Sequence, residues 1–283
     1  MTDKVRADVA LVRCGLSESR EKAQAAIMAG QVYSGERKIN KASEQIREDE
    51  PLTLRVPSVS YVSRGALKLE KAVRVFDADL RNKIVMDIGA STGGFTDVCL
   101  RNGAKHVYSI DVGYGQLDWK LRNDPRVTVM ERTNARYMTP EMFAEIPEIA
   151  VMDVSFISIR LIIPAAAAII GDKGVFYTLI KPQFEAGREK VGKKGVVRNP
   201  ETHEDVIRGI RDYVRTIHWN MLKLDYSPIT GPEGNIEFIA EIRKDTRSEV
   251  SDETIHNIVA QAHSGFLHGS DKNTASNAGK GAE

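Results

Sequence analysis

Short apolar runs recur along residues 84–180, and most of them end on a charged or small polar residue. Such runs, rich in branched side chains, predict buried strands. The runs are Ile84–Ile88, His106–Ile110, Val127–Met130, Ile149–Met152 and 174–180. A helical pattern over 95–100 and a helix start at Thr139-Pro140 lie between them. Strands that alternate with helices predict an α/β fold with a mainly parallel sheet.

A glycine-rich turn, Gly89-Ala90-Ser91-Thr92-Gly93-Gly94, joins the first of these strands to the helix that begins at Phe95. Glycine lets backbone N–H groups approach a ligand without an intervening Cβ, and the helix start adds partial positive charge. The next strand ends on Asp111, about 20 residues downstream, where an acid can accept hydrogen bonds from ribose hydroxyls. This arrangement predicts a nucleotide-containing cofactor, although a turn that merely joins a strand to a helix is the alternative.

The order of the glycines favours S-adenosylmethionine over a dinucleotide. The dinucleotide fingerprint G-x-G-x-x-G is not matched, and the turn follows Asp87, which would repel a pyrophosphate but suits a cationic methionine head. Asn134, past the third strand, either contacts the adenine or stabilises a turn. The predicted cofactor-binding residues are Gly89, Ala90, Ser91, Gly93, Asp111 and Asn134.

Two charged residues, Asp153 and Lys181, directly follow predicted strands. The carboxyl ends of parallel strands form the ligand-binding edge of such a sheet, so both residues are candidates for the site. An alternating strand over 235–242 carries Glu237 near its start, which borders the same edge if this strand is antiparallel. Lys68 lies in a predicted helix, where a lysine is most often solvated, and spacing alone assigns it no function.

Residues 1–57 have the pattern of a separate small α+β module. The first of two short helices has Val5, Val9 and Val12 on one face, which we expect to point inward. A Ser34-Gly35 turn then predicts a hairpin. Acidic residues are almost as numerous as basic ones here, so RNA binding would require the charges to be segregated on one face.

The composition is that of an ordinary globular protein, and a net charge of +1 over 283 residues gives no bulk signature of nucleic-acid binding. Cys14 and Cys99 do not have the spacing of metal ligands, so we expect no metal site. Both lie in apolar helical patterns, which indicates small core residues with reduced thiols, as in a cytoplasmic protein. No secretory signal is visible, and the most apolar segment, 157–170, is too short to span a bilayer.

The predicted domains are a module over 1–57, a linker over 58–62, an α/β domain over 63–247, a helix over 248–263 and a polar, disordered tail over 264–283.

The first module resembles the S4-type RNA-binding domain. The resemblance is carried by Gly15-Leu16-Ser17-Glu18-Ser19-Arg20-Glu21-Lys22-Ala23 and Ile27-Met28-Ala29-Gly30-Gln31-Val32. Ser34-Gly35 departs from the Asn-Gly that is usual in that family. Members grip RNA with basic residues on the second helix and hairpin, which implies that Arg13, Arg20, Lys22 and Arg37 bind RNA.

The second region resembles the TlyA group of the FtsJ (RrmJ) ribose 2'-O-methyltransferases. The matching segments are Ser-Arg-Gly-x-x-Lys68, Asp153-Val-Ser-Phe-Ile-Ser, Leu-Ile-Lys181-Pro-Gln-Phe-Glu and Gly-Asn-Ile-Glu237-Phe. The resemblance implies a Rossmann-like methyltransferase sheet of seven strands, the last of them antiparallel, and a catalytic set made of these two lysines and two acids. It also implies that adenosylmethionine methylates cytidine ribose in ribosomal RNA. Several members of the group carry the name haemolysin.

Methyl transfer from a sulfonium to an oxygen requires alignment and removal of a proton from a weakly acidic hydroxyl. A free lysine, with a pKa of about 10.4, is a poor base at neutral pH. A lysine that is crowded by another lysine and partly desolvated is a better base. We hypothesise that Lys181 takes or polarises the 2'-hydroxyl proton, that Asp153 and Glu237 orient the two lysines, and that Lys68 positions the ribose or a phosphate.

Other functions remain open at this stage. A nicotinamide oxidoreductase would also use a glycine turn followed by an acid, and a membrane-active haemolysin is suggested by the name of relatives. A non-catalytic RNA-binding factor is a third alternative. The basic, glycine-containing stretch 183–198 predicts either a solvated loop or a clamp on phosphates.

Overall fold

The computed structural model describes residues 4–28, 30–35, 37–47, 49–54, 61–245 and 249–271; of 267–271 only the backbone is described. The chain divides into two compact units, residues 1–60 and 61–283, called here the first and second unit. Residues 58–60 of the predicted linker and residues 272–283 of the predicted tail lie outside the described residues.

The first unit is a small α+β structure. Its elements are β1 (Lys4–Arg6), α1 (Ala7–Arg13), α2 (Arg20–Met28), β2 (Val32–Ser34), β3 (Arg37–Lys38), β4 (Gln45–Arg47) and β5 (Leu52–Leu54). Strand β2 pairs antiparallel with both β3 and β5, and β1 pairs antiparallel with β4. The hairpin that the Ser34-Gly35 turn predicts is therefore present.

The buried face of α1 differs from the one predicted. Val5 belongs to β1 and the helix begins only at Ala7, so the helical repeat places Ala7, Ala10 and Leu11 in the core. Val12 is only partly buried. Val5 and Val12 still pack against this core as expected, but the prediction placed the start of the helix too early because it continued one helical period through a strand.

The second unit contains a seven-stranded mixed sheet, which confirms the predicted α/β fold class. Its strands are β6 (Ile84–Ile88), β7 (His106–Ile110), β8 (Val127–Met130), β9 (Ile149–Met152), β10 (Val175–Ile180), β11 (Asn220–Tyr226) and β12 (Phe238–Arg243). The spatial order is β11-β12-β10-β9-β6-β7-β8. Strand β12 runs antiparallel to both its neighbours, while the pairs from β10 to β8 are parallel.

Helices cover both faces of this sheet, so its central strands are apolar on both sides. The helices are α3 (Ala66–Phe76), α4 (Gly94–Arg101), α5 (Trp119–Arg122), α6 (Ile163–Ile170), α7 (Pro182–Glu185), α8 (Pro200–Thr216) and α9 (Asp252–Asp271). One apolar cluster joins the sheet to α6, α8 and α9, and another joins it to α3 and α4. Strand β6 is buried along its whole length. Its packing therefore fixes the position at which the glycine turn begins.

Two predicted helices differ in extent from the observed ones. The helix expected from Thr139 is a single 3-10 turn, Pro140–Met142, because Phe143 leaves it to bury its ring against Tyr108. The last helix runs to Asp271 rather than ending at 263, so residues 264–271 are not part of a disordered tail. In the described part of the chain, no helix combines the length and the apolar composition needed to cross a membrane.

Candidate active site

The carboxyl ends of four parallel strands bring together residues that are far apart in the sequence. The glycine turn follows β6, Asp111 follows β7, Asp153 follows β9 and Lys181 follows β10. The neighbouring antiparallel strand starts at the same edge, which places Glu237 next to Lys181. The sheet topology thus collects these side chains at one edge.

Two lysines and two carboxylates form one connected cluster. The Lys181 amine lies 2.5 Å from Asp153 Oδ1, and the Lys68 amine donates to Glu237 Oε2 at 2.6 Å. Lys68 is also 3.8 Å from the second Asp153 oxygen, Oδ2. Both lysines and Glu237 are buried, whereas the Asp153 side chain is about one-fifth exposed. All four residues of the predicted catalytic set therefore meet, although each comes from a different element.

Two further polar residues, which the sequence analysis did not identify, complete the cluster. Lys181 donates a hydrogen bond to Ser155 Oγ at 2.9 Å, and Gln183 Nε2 donates to Glu237 Oε1 at 3.0 Å. Each lies two positions after a residue of the cluster, inside a segment that carried the family resemblance. Their nearness in sequence to Asp153 and Lys181 could have indicated that Ser155 and Gln183 belong to the site. The periodicity of the sequence, however, does not show in which direction these two side chains point.

Two adjoining cavities open at this edge. The first, of about 550 Å³, contains the cluster and also Gly89, Ala90 and Ser91 of the glycine turn. The second, of about 480 Å³, is lined by Asp111 and Asn134. Both cavities share Gly89, Ser91, Asp153, Ser155 and Phe156 as lining residues. A ligand could therefore extend from the glycine turn to Asp111 while one of its ends faces the lysines.

The glycine turn has the close packing that its composition suggested. Gly89 has φ 84°, and a Cβ there would lie 2.5 Å from the Asp153 carbonyl oxygen, so only glycine fits. Asp111 accepts hydrogen bonds from the backbone N–H groups of Ser91 at 2.8 Å and Gly113 at 2.7 Å. Gly93 lines neither cavity; a Cβ there would overlap the side chain of Leu121. Its conformation, φ 94°, instead supports the start of α4.

Asn134 stabilises a turn, which is one of the two alternatives that its position left open. Its side-chain oxygen accepts a hydrogen bond from the Arg136 N–H at 3.1 Å and so caps a short 3-10 helix. The same residue lines the second cavity. Stabilising the turn and bordering the ligand space are therefore compatible.

Asp87 is not part of either cavity wall. Its carboxylate is fully buried and accepts a hydrogen bond from Thr96 Oγ1 at 2.7 Å, while its other oxygen has no partner among the described residues. Burial raises the pKa of Asp87 to about 7. This acid is bonded to α4 and does not face the ligand space, contrary to the sequence interpretation.

A basic loop, residues 187–198, borders the first cavity through Val191 and Gly195. Asn235, itself buried, donates to the Gly195 carbonyl at 2.9 Å and accepts from the Val197 N–H at 3.0 Å. These bonds hold the end of the loop beside Glu237. Its exposed cations that have no hydrogen bond or ion pair within the described residues are Arg188, Lys193, Lys194 and Arg198.

Phe156 stands at the rim of both cavities. Its side chain is 91% exposed and its backbone is left-handed, with φ 63°, which is rare for an aromatic residue. The ring contacts that of Phe184 with a centroid distance of 5.1 Å. An exposed ring held in a strained backbone beside a polar cluster is a feature of functional sites.

The four predicted RNA-binding residues all lie in the first unit and keep much of their side chains exposed. Three of them form ion pairs there: Arg20 with Asp8 at 3.1 Å, Lys22 with Glu18, and Arg37 with both Glu44 and Glu50. Arg13 is exposed on the last turn of α1. Because the three paired cations have acidic partners in the same unit, a phosphate must compete with those acids for them.

Comparison with known proteins assigns a family to each unit. Residues 61–244 match the FtsJ-like methyltransferase family, and residues 5–52 match the S4 domain. The chain is 51% identical to YqxC of Bacillus subtilis, named as a candidate rRNA methyltransferase, over 92% of this chain and 94% of that protein. It is 39% identical to the 16S/23S rRNA (cytidine-2'-O)-methyltransferase TlyA of Mycobacterium tuberculosis, over 93% and 98%.

A solved structure from Streptococcus thermophilus, described as a candidate hemolysin, is similar throughout. The two share 45% identity and a TM-score of 0.75, and the match covers 96% of this chain and 100% of that one. The FtsJ-like match spans all seven strands of the sheet, the glycine turn, and the clustered lysines and acids. The chain therefore belongs to the FtsJ-like methyltransferase family and carries an S4 domain ahead of its methyltransferase domain.

Proposed function

We propose that this protein transfers the methyl group of S-adenosylmethionine to the ribose 2'-hydroxyl of a cytidine in ribosomal RNA. The observation that carries the proposal is the convergence of Lys68, Asp153, Lys181 and Glu237 on the first cavity, beside the second cavity with Asp111. The substrate class follows from the rRNA (cytidine-2'-O)-methyltransferase that this chain resembles. From this proposed substrate we also infer a cytoplasmic location.

The two cavities fit this cofactor. Asp111 borders the second cavity, where its carboxylate can accept hydrogen bonds from ribose hydroxyls. Gly89, Ala90 and Ser91 border the first, where a backbone without a Cβ at Gly89 would let a ligand approach closely. When bound, adenosylmethionine supplies an activated methyl group on a sulfonium.

The clustered side chains would handle the substrate hydroxyl. As the new O–C bond forms and the C–S bond breaks, the hydroxyl proton must leave the oxygen. Lys181 is the amine in this role, with Asp153 at 2.5 Å to take up or return a proton and Ser155 to fix its direction. Lys68, held by Glu237, would position the ribose or a neighbouring phosphate. Gln183 keeps Glu237 in place.

The remaining basic surface would bind the RNA around the target. The unpaired cations of the loop 187–198 lie beside the first cavity, where they can contact phosphates. In the first unit, Arg13, Arg20, Lys22 and Arg37 would provide a second set of phosphate contacts, as members of an S4 domain.

The test is to incubate the full chain with methyl-labelled adenosylmethionine and ribosomal subunits from cells that lack this methyltransferase, and then to map the label. We expect label on a cytidine 2'-oxygen, and none with subunits that already carry the modification. Label on a base, or no transfer at all, would refute the proposal. A parallel thermal-shift measurement should show stabilisation by adenosylmethionine and not by NAD.

A further inference from the structure

Two segments that carry the reacting groups face each other and are joined along their length. The Asp153 segment (residues 153–159) follows β9, and the Lys181 segment (residues 181–185) follows β10. Lys181 contacts Asp153 and Ser155 at one end of this pair of segments. The rings of Phe184 and Phe156 meet further along. Glu185 makes the last connection, and the proposed chemistry does not use it.

The Glu185 carboxylate forms two hydrogen bonds to the far end of the Asp153 segment. Oε2 accepts from Ser158 Oγ at 2.7 Å, and Oε1 accepts from the Ile159 backbone N–H at 2.8 Å. Ser158 Oγ in turn accepts from the Arg160 N–H at 3.2 Å and caps the 3-10 helix that follows. Burial raises the pKa of Glu185 while these two bonds favour its charged form.

The segment between these contacts has a conformation that must be held from outside. Phe156 has φ 63°, which is unfavourable for a residue with a Cβ. The near end of the segment is fixed in the sheet by the Asp153 N–H, which donates to the Ile88 carbonyl at 3.0 Å. The far end is fixed by Glu185. The carboxylate therefore closes a short arch whose span contains Ser155 and Phe156.

We propose that Glu185 is a positioning residue for methyl transfer, because it fixes the register of the Asp153 segment against the Lys181 segment. With the arch closed, Asp153 and Ser155 meet the Lys181 amine, and Phe156 stays at the rim of both cavities. The inference rests on the proposed function. It adds that the reaction requires a carboxylate that touches neither cofactor nor substrate.

The position of Glu185 predicts a larger effect on the rate of methyl transfer than on the affinity for adenosylmethionine. Glu185 lines neither cavity, and Asp111 and the glycine turn lie outside the arch. The arch also borders the second cavity, but Asp111 and the glycine turn keep their own contacts, so loss of the carboxylate should lower kcat by a larger factor than it raises the KM for adenosylmethionine. A residue that merely supported the fold would lower the amount of active protein without changing kcat per folded molecule.

The experiment compares Glu185→Ala, Glu185→Gln and the control Glu253→Ala in the full chain. Glu253 is an exposed acid in the first turn of α9 without a hydrogen bond or ion pair in the described structure. Rates per folded molecule are measured on unmodified ribosomal subunits, and cofactor binding is measured by calorimetry. One hydrogen bond to a charged group corresponds to a factor of about tenfold to hundredfold, and we expect Glu185→Ala, which loses two, to lower kcat by at least about tenfold. Glu185→Gln, which keeps one acceptor, should lie between, and Glu253→Ala should match the unchanged chain.

Ser158 provides an independent readout. Ser158→Ala should lower kcat less than Glu185→Ala does, Ser158→Thr should retain the rate because it keeps the hydroxyl, and Glu185→Ala/Ser158→Ala should be no slower than Glu185→Ala alone. Full kcat in folded Glu185→Ala, or additive losses in the double variant, would overturn the inference. Absence of transfer by the unchanged chain would instead refute the proposed function, on which this inference rests.

Discussion

Cations pair with acids in both units of this chain, but the two sets of pairs are built differently. In the second unit, Lys68 and Glu237 lie far apart in the sequence, and both are buried. In the first unit, Lys22 pairs with Glu18, four residues earlier in the chain, and both side chains are mostly exposed. The first kind of pair needs the whole domain to be folded, and the second needs only local structure.

This difference indicates what each kind of pair can contribute. A buried pair is costly to separate because each partner would leave an uncompensated charge, so it fixes geometry. An exposed pair is screened by water and is worth little, so its cation can change partners when phosphate arrives. We therefore expect the buried pairs to control chemistry and stability, and the exposed cations to control RNA affinity.

The largest effect is expected from Lys181→Ala. Loss of the amine that handles the hydroxyl proton should reduce methyl transfer by about 10²- to 10⁴-fold, the usual contribution of acid–base catalysis. Transfer is measured under single-turnover conditions with labelled adenosylmethionine, and its binding should persist. The control is Lys173→Ala, which removes an exposed lysine from the loop before β10. Near-normal transfer by Lys181→Ala would remove Lys181 from the reaction.

Stability should separate the buried pair from the exposed pair. Lys68→Met keeps the volume but leaves Glu237 with Gln183 as its remaining hydrogen-bond partner, so the second unit should lose about 3–5 kcal/mol. Adding Glu237→Gln should recover part of this loss because the buried charge is removed. By contrast, Lys22→Ala should change the free energy of unfolding by no more than about 0.5 kcal/mol. Urea unfolding of the full chain measures all three; equal losses for Lys68→Met and Lys22→Ala would contradict the comparison.

Acid should weaken the contribution of Asp8, a buried carboxylate in the first unit. Asp8 accepts hydrogen bonds from Arg6, Arg20 and Gln24, and the bond from Arg6 is the main reason that its pKa lies well below the usual range. A depressed pKa means that the stabilisation is complete above the unfolded-state pKa, about 3.9, and is lost as the pH falls below it. Asp8→Asn should cost about 1.5–3 kcal/mol at pH 7.

The two stability curves should approach each other in acid, because the unchanged chain then also loses the charge. Amide hydrogen exchange of residues 4–54, measured from pH 7 to pH 3, follows the first unit alone. A constant difference between the two proteins across this range would show that the Asp8 charge does not contribute.

The sequence predicted those parts of the fold and site that depend on pattern and order. Apolar runs located the strands, and their order placed Asp153 and Lys181 at one edge of the sheet. Lys68 was assigned only through the family resemblance, because no helical period shows that a lysine points into a cavity. Ser155 and Glu185 were not identified, since their roles depend on how two distant segments face each other. Asp87 was misjudged because one position in a buried strand decides whether a side chain faces ligand or core.

Salt dependence should sharpen the contrast between paired and unpaired cations. Lys193 and Lys194 have no acidic partner in the described structure, so Lys193→Ala/Lys194→Ala should reduce the slope of log affinity against log salt by about 2. Lys22 and Arg37 must first leave their acids, which then take up cations from solution. Lys22→Ala/Arg37→Ala should therefore reduce the slope by less. RNA binding is measured by filter retention at several salt concentrations, and equal slopes for both variants would contradict this expectation.

The smallest of these effects is expected at Phe156. Two substitutions there separate the contribution of the strained backbone from that of the aromatic ring. The left-handed conformation costs a residue with a Cβ about 1–2 kcal/mol, whereas glycine adopts it freely but loses about 0.5–1 kcal/mol of chain entropy. Phe156→Gly should therefore be more stable than Phe156→Ala by no more than about 1.5 kcal/mol. Both lack the ring that contacts Phe184, so both should transfer methyl more slowly than the unchanged chain, and to the same extent. If Phe156→Gly alone retained the normal rate, the backbone conformation rather than the exposed ring would be the feature that the reaction requires.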